Sequence, residues 1–355
     1  AAHLLVAQAR LRDRVAHRAL PCRQVAPSTS QQGQPLLEPG QQRLSIDRLD
    51  EIVSRAEGIA QFAVVDDRVD RIEPQRVVNC GSTVLVEARY HGVESIAVDP
   101  NNDQLVYMAA GMYTSEGNGR LYLSSNRGDQ WTYVTLPFPL GGNNPGRAIG
   151  ERLMVDPNKP STLFYATRTA GLWKSVDSGL TWAQVTSLSS AMLTQEQVNA
   201  LGIGSAMGVE TVVYDTGTKG SGTATQTIYA PIAPDYVQTA GLASNLYKSG
   251  NGGASWTPVS VPISGYHIPH MVRAADGMFY VVFTKETGPG AGGPARLYKF
   301  DGSNWTLLNS NDSAGYGGLS VSGTGATTRI ALGVTNTWGN YSGQQIIRLS
   351  DDAGR

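Results

Sequence analysis

Nine residues, KSVDSGLTW at 174–182, set a serine, an aspartate, a glycine and a tryptophan at fixed offsets, and looser copies stand at 123–131 (LSSNRGDQW) and 248–256 (KSGNGGASW). A turn that recurs at one place in a longer repeating unit constrains the fold more than any other feature of this chain. The unit opens with a strand ending in an Asp-containing turn: VESIAVDP (93–100), ERLMVDP (151–157) and ETVVYD (210–215). A second strand follows (LVYMAAG, TLFYATR, TIYAPIA), and a third leads into the nonapeptide (RLYLSSN, GLWKSVD, NLYKSGN). A fourth opens at Trp131, Trp182 or Trp256. A further copy, from HMVRAAD to WTLLN, lacks the nonapeptide, and a last one runs through GLSVSG, RIALGV and QIIRLSDD.

Asp99, Asp156 and Asp215 lie 57 and 59 residues apart. Four strands per unit at a period of about 50 is the pattern of propeller blades. The expected fold is therefore all-β: an incomplete β-propeller of about five four-stranded blades. Ser350, Asp352 and Gly354 begin another nonapeptide in the last copy.

The offsets within the nonapeptide predict a tight turn between third and fourth strands. The Asp or Asn side chain can accept turn N–H groups, Gly supplies positive φ, and Trp packs back over the hairpin. The residues of this expected structural set are Ser124, Asn126, Gly128 and Trp131; Ser175, Asp177, Gly179 and Trp182; Ser249, Asn251, Gly253 and Trp256. A side chain repeated blade after blade at one point of a turn reads as a fastener rather than as an acid or a metal ligand.

In an up-and-down blade, loops 1–2 and 3–4 share one rim, which holds the fasteners. Loops 2–3 and the blade connections share the other, where the sequence is long and irregular: 111–119, 138–150, 188–209, 233–245, 262–270, 284–295 and 335–344. Long loops on a rigid scaffold are where binding concentrates. They carry Tyr113, Arg147, Tyr236, Tyr266, His267, His270, Trp338 and Tyr341 among Asn and Gly, a set suited to stacking on sugar faces. Glu94, Glu151 and Glu210 recur near the start of the first strand; their repetition favours accepting backbone N–H groups around the channel over acid–base catalysis.

Other chemistries find little support. With a formal net charge of -1 and 16% charged residues, there is no basic footprint for nucleic acid or an anionic membrane. No stretch approaches the ~20 apolar residues of a membrane span. His267 and His270 are three apart without a neighbouring Cys or third His, so no metal site is expected, and no cofactor-binding motif is present. Cys22 and Cys80 are too few for a disulfide framework. Three Asn-x-Ser/Thr sequons, at Asn304, Asn311 and Asn340, are compatible with an extracellular location.

Residues 1–90 differ from the rest. They contain no tryptophan; 2–20 reads as a basic helix, 45–62 as an amphipathic helix capped by Ser45, and 27–42 as linker. Two regions follow: 1–90, partly helical and atypical, and 91–355, the partial propeller.

GVESIAVDPNND, LPFPLGGNNPGRAIGERLMVDPN, GLWKSVDSGLTW and YHIPHMVRAADGMFYVVFTKETGPG resemble the N-terminal propeller of glycoside hydrolase family 74, from about Gly92 to Arg355. GGNNPGRAIGER carries most of the specificity. The resemblance implies xyloglucan-specific glycosidases in which two seven-bladed propellers hold a branched β-1,4-glucan, a polysaccharide partner. It also implies inverting hydrolysis by one aspartate from each propeller, with carboxyls about 6.5–9.5 Å apart. The first such aspartate belongs to a Thr/Gly-Asp-Val/Ile-Gly-Gly loop ahead of residue 93, where this sequence offers only VVDDRVD (64–70). The second belongs to the C-terminal propeller. No catalytic residue is carried over, and the expected enzyme would need carboxylates from outside this stretch. The loss of pattern where a first blade is expected favours reading 1–90 as a misread gene segment over an appended domain. Matched positions are Asn143, Pro145, Gly146 and Arg147, His270, and Trp338; with Tyr113 and Tyr266 from the rim reading, the expected substrate-binding set is Tyr113, Asn143, Arg147, Tyr266, His270 and Trp338. The alternatives are a non-catalytic glycan-binding propeller and a sialidase-like or sorting-receptor-like propeller. A sialidase would want an arginine cluster, and Arg147 stands almost alone on the open rim.

Overall fold

The first three sheets descend from inside to outside in burial, and that gradient follows the sequence. In a computed structural model of the chain, the described residues are 88–144, 146, 149–189, 194–200, 207–218, 224–234, 244–285, 294–335 and 346–354. The helices expected at 2–20 and 45–62 lie outside them. The first sheet runs β1 (Val93–Asp99), β2 (Asn102–Ala110), β3 (Asn118–Ser124) and β4 (Thr132–Pro139), antiparallel and in chain order. VESIAVD of β1 is almost wholly buried, its polar Glu94, Ser95 and Asp99 included, whereas in TYVTLPFP of β4 only Leu136 and Phe138 are buried. A strand buried on both faces reads as a continuous apolar run; an outer strand alternates.

The second sheet repeats the order with β5 (Leu153–Val155), β6 (Leu163–Ala166), β7 (Leu172–Ser175) and β8 (Ala183–Gln184). The third has one departure from the expected four strands. Its first strand is split into β9 (Met207–Val209) and β10 (Val213–Tyr214), both of which pair with β11 (Ile228–Pro234), followed by β12 (Leu246–Ser249) and β13 (Thr257–Pro258). The fourth comprises β14 (His267–Arg273), β15 (Phe279–Thr284), β16 (Ala295–Phe300) and β17 (Trp305–Asn311). The fifth has β18 (Gly315–Ser322), β19 (Arg329–Thr335) and β20 (Ile346–Ser350). First strands of successive sheets lie beside one another, which is the arrangement of an incomplete propeller.

Each seam between sheets is an aromatic layer. Between the first two, Phe138 meets Tyr165 and Trp173 at ring distances of 5.0 and 5.1 Å and Trp182 edge-on. Phe164 packs against Tyr214 in the second seam, Tyr229 against Phe279 and Phe300 in the third, and Tyr280 faces the cluster of Tyr316 and Leu332 in the fourth. The fastener-side rim is stitched by polar bonds as well. Asn101 Nδ2 donates to Pro157 O, Asn158 Nδ2 to Thr216 O, Arg273 Nε to Asp215 Oδ1 at 2.7 Å, and Gly325 N to Asp276 Oδ2.

The nonapeptide turns are built as expected, with one addition. Asn126, Asp177 and Asn251 each accept the backbone N–H four residues on, at 2.8–2.9 Å. The serine is the hub: Ser124, Ser175 and Ser249 donate to that same side chain and accept the glycine N–H at 2.8–2.9 Å. Gly128, Gly179 and Gly253 have φ of +90°, +87° and +92°, and the residue before each is left-handed too: Arg127, Ser178 and Gly252. Trp131 and Trp182 donate Nε1–H to the carbonyl of that glycine, whereas Trp256 Nε1 makes no such bond. Ser350, Asp352 and Gly354 repeat the geometry.

Gly179 faces the neighbouring sheet, where a Cβ would stand 2.6 Å from Leu121 Cδ2. Gly179→Ala therefore combines positive-φ strain with a clash and should cost about 2–3 kcal/mol. Ser175→Ala removes one acceptor from a buried N–H and should cost about 1–2 kcal/mol. Urea unfolding of both variants checks the order; a Ser175→Ala loss equal to or greater than that of Gly179→Ala would contradict it.

Candidate functional site

The loop-side rim begins where each first strand begins, and two buried carboxylates sit there. Glu94, at the start of β1, is 2% exposed and reaches across the first seam. It accepts Arg168 Nε at 2.6 Å and Tyr165 OH at 2.9 Å, with Arg152 Nε at 3.6 Å. Burial alone would raise the Glu94 carboxyl, but the guanidinium groups of Arg168 and Arg152 and the bonds from Arg168 and Tyr165 outweigh it and hold it below its ordinary range. Arg152 is brought down to about 10 by burial and by the neighbouring Arg168 charge, with Glu94 opposing. Arg152 also donates to Val209 O, tying the second sheet to the third.

Glu210 bridges sheets in the same way two seams further on, between the third and the fourth. It accepts Ile268 N at 2.7 Å through Oε2, and Oε1 lies 2.5 Å from His267 Nδ1. Glu210 thus accepts a backbone N–H, as the recurrent glutamates were expected to do, while Glu94 spends its carboxylate on arginine. Glu151 is half-buried, and its carbonyl rather than its side chain accepts Thr211 Oγ1.

The 262–270 stretch, read as a long exposed loop, ends at Tyr266. His267 and His270 belong to β14 and are 0% and 2% exposed, so neither is an exposed rim side chain. The cause is a bulge in the β14–β15 pairing between His267 and His270, which accommodates Pro269 inside a strand.

Of the six expected substrate-binding residues, the structure brings Tyr113 and Asn143 together. The connection after β4 folds back on the 111–113 turn: Gly142 N donates to Gly111 O, Asn143 N to Met112 O, and Thr114 N to Asn144 Oδ1. A Cβ on Gly142 would stand 2.6 Å from Gly92 O, so only glycine allows this approach. Asn143 Nδ2 then donates to Tyr113 OH, whose ring is 37% exposed. Tyr266 is half-buried in the fourth sheet, with Lys285 Nζ 5.5 Å from its ring centre and Asn245 Nδ2 donating to its carbonyl. Arg147 and Trp338, with Tyr236 and Tyr341, lie outside the described residues. The rim thus offers a rigid Asn–Tyr pair and a second tyrosine on another blade, able to hydrogen-bond hydroxyls and stack on rings. The two short helices Thr186–Ser189 and Gln195–Ala200 on this side were missed by the sequence reading, which saw one irregular loop.

No family profile matches the chain. It is 37% identical over 261 residues to a xyloglucanase of a Paenibacillus species, covering 70% of this chain and 24% of that protein. It is 38% identical over 220 residues to xyloglucanase Xgh74A of Acetivibrio thermocellus (61% of this chain, 25% of that protein) and 31% over 274 residues to a xyloglucanase of Hypocrea jecorina (73% and 32%). The chain thus spans a quarter to a third of the length of these curated relatives. Among solved structures it superposes on the GH74 xyloglucanase from Xanthomonas campestris with a TM-score of 0.59 at 31% identity (75% of this chain, 38% of that one). The GH74 enzyme of Niastella koreensis gives 0.63 at 33%, with the same coverage.

Glu94 carries a stability prediction. Its folded pKa lies below the unfolded value of 4.5, so its contribution is complete above that value and is lost as pH falls through the folded pKa. Glu94→Gln should leave two buried guanidinium groups facing a neutral amide and cost about 3 kcal/mol at neutral pH. The gap to the wild type should narrow on acidification, as read by urea midpoints at descending pH. A gap constant with pH would remove the ionised carboxylate from the account.

Proposed function

We propose that the described sheets belong to a glycoside hydrolase family 74 propeller and that the chain is part of a xyloglucan-degrading glycoside hydrolase. Its loop-side rim supplies one wall of the glycan site. The observation that carries the reading is the 31–38% identity to xyloglucanases over 61–73% of the chain. That kinship favours the hydrolase over a non-catalytic glycan-binding propeller.

The rim chemistry is consistent with this. Neutral donors and acceptors on Asn143 and Tyr113, with the Tyr266 ring, suit a polyhydroxylated, uncharged chain better than an anion. The ligand is a polysaccharide rather than a nucleic acid or a membrane. Such a polymer is met outside the cell, so an extracellular site of action follows from the reading. Among the described residues, no helix is long and apolar enough to cross a membrane.

Catalysis is not assigned to the carboxylates described above. Inverting hydrolysis needs one protonated and one ionised carboxyl open to substrate and water. Glu94 is buried and ion-paired, and Glu210 is buried against His267 and Ile268. The chain is therefore expected to bind xyloglucan and to leave it uncut. Retardation in gels containing xyloglucan, against gels with an unbranched β-mannan, tests binding; chromatography of the incubated polysaccharide tests cleavage. Retardation without product is the expected result. Absence of retardation by the folded chain would sink the reading, and released oligosaccharides would require a carboxylate pair within the chain.

A further inference from the structure

The connection that carries Asn143, which pairs with Tyr113 on the first sheet, is anchored at its far end beside the first strand of the fourth sheet, three residues from Tyr266. The connection after β4 starts on the first sheet at Gly142 and Asn143 and ends at Gly150, whose N–H donates to Pro269 O on the fourth sheet at 2.9 Å. It therefore passes beyond its own neighbour, the second sheet, to reach β14. Ile149 beside it is 2% exposed and bonds back to Gly146 O. The approach at Gly150 is close: a Cβ would stand 2.4 Å from Pro269 O and 3.2 Å from Thr211 Cβ. Pro269 offers its carbonyl there because β14 is bulged between His267 and His270. Glu210 fixes that bulge, gripping the Ile268 N–H with one oxygen and His267 Nδ1 with the other.

His267 Nε2 is buried and has no hydrogen-bond partner. The clasp is a directed one: one carboxylate faces both the Ile268 N–H and His267 Nδ1, the latter on the residue next to Tyr266 in sequence.

We infer that Gly150, Glu210 and His267 are positioning residues for glycan binding: they hold the connection that starts at Asn143 against Pro269, three residues from Tyr266, and so set the spacing between those contact points. This rests on the glycan-rim reading above. A ligand that touches both points gains from their fixed separation, because the second contact forms within an already bound complex; a ligand that touches one does not.

The test compares Gly150→Ala, Glu210→Gln and Glu210→Ala with the contact variants Asn143→Ala and Tyr266→Ala. Calorimetry is run with a xyloglucan oligosaccharide of one repeat and with one of several repeats. Glu210→Gln keeps an acceptor for Ile268 N–H and guards against loss of the fold. The expected result is an affinity for the long ligand lowered about tenfold in the positioning variants, with the short ligand little changed. Amide exchange in 140–150 should rise in Glu210→Ala, although Glu210 is bonded to none of those amides. If both ligands weaken by the same factor, or if 140–150 exchange stays at the wild-type rate, Glu210 and Gly150 merely stabilise the fold and the inference is overturned. If the contact variants weaken binding and the positioning variants do not, the positioning inference alone falls. Unchanged binding in Asn143→Ala and Tyr266→Ala would remove the glycan-rim reading, and the inference with it.

Discussion

Among the described residues no ladder of backbone hydrogen bonds runs from one sheet to the next; five separate sheets face each other chiefly through side chains, with Val209 N donating to Thr167 O across the second seam. Packing alone is poorly directional, and two twisted sheets can slide on an aromatic layer at modest cost. The position of each blade therefore depends on what pins the seam at its two ends. At the fastener side, Asn101, Asn158, Arg273 and Asp276 bridge successive blades through turn carbonyls, hydroxyls, a carboxylate and an amide. At the loop side the pins are buried: Glu94 with Arg168, and Glu210 with His267 and Ile268. The loop-side rim inherits its geometry from those pins.

The local parts of this architecture were legible in the sequence because they are written within a few residues of each other. Ser175, Asp177, Gly179 and Trp182 satisfy one turn, and their spacing shows it. The strand pattern was legible for the same reason, since a strand sandwiched between neighbours is apolar throughout, as FYVVFT of β15 is. The hub role of serine was less visible, because a hydroxyl both donates and accepts and its choice of partner is set by two consecutive left-handed residues. Only one of those two is regularly glycine.

The seam pins were not legible. Glu94 and Arg168 stand 74 residues apart, and Glu210 and His267 stand 57 apart. Recurrence of Glu94 and Glu210 at the head of the first strand hinted at a shared duty but not at different partners. His267 and His270 were misplaced for a related reason. The stretch 262–270 was placed among the irregular loops, yet a bulge lets the strand run through Pro269. The split of β9 from β10 falls at the rim as well, where Thr211 turns to the Glu151 carbonyl and the Glu210 side chain to its clasp while Glu210 N still donates to Pro231 O of β11.

Among the described residues, two of the four fasteners centre on an asparagine, Asn126 and Asn251, and two on an aspartate, Asp177 and Asp352. The oxygen that closes the turn is common to both; the second side-chain atom differs, Asp177 Oδ2 accepting the Thr181 hydroxyl while Asn251 Nδ2 donates to Ser255 Oγ. Substitution between the two residues moves the net charge of that rim by one unit per blade while leaving the turn intact. The fastener-side face can thus change its charge while the oxygen that closes each turn is kept.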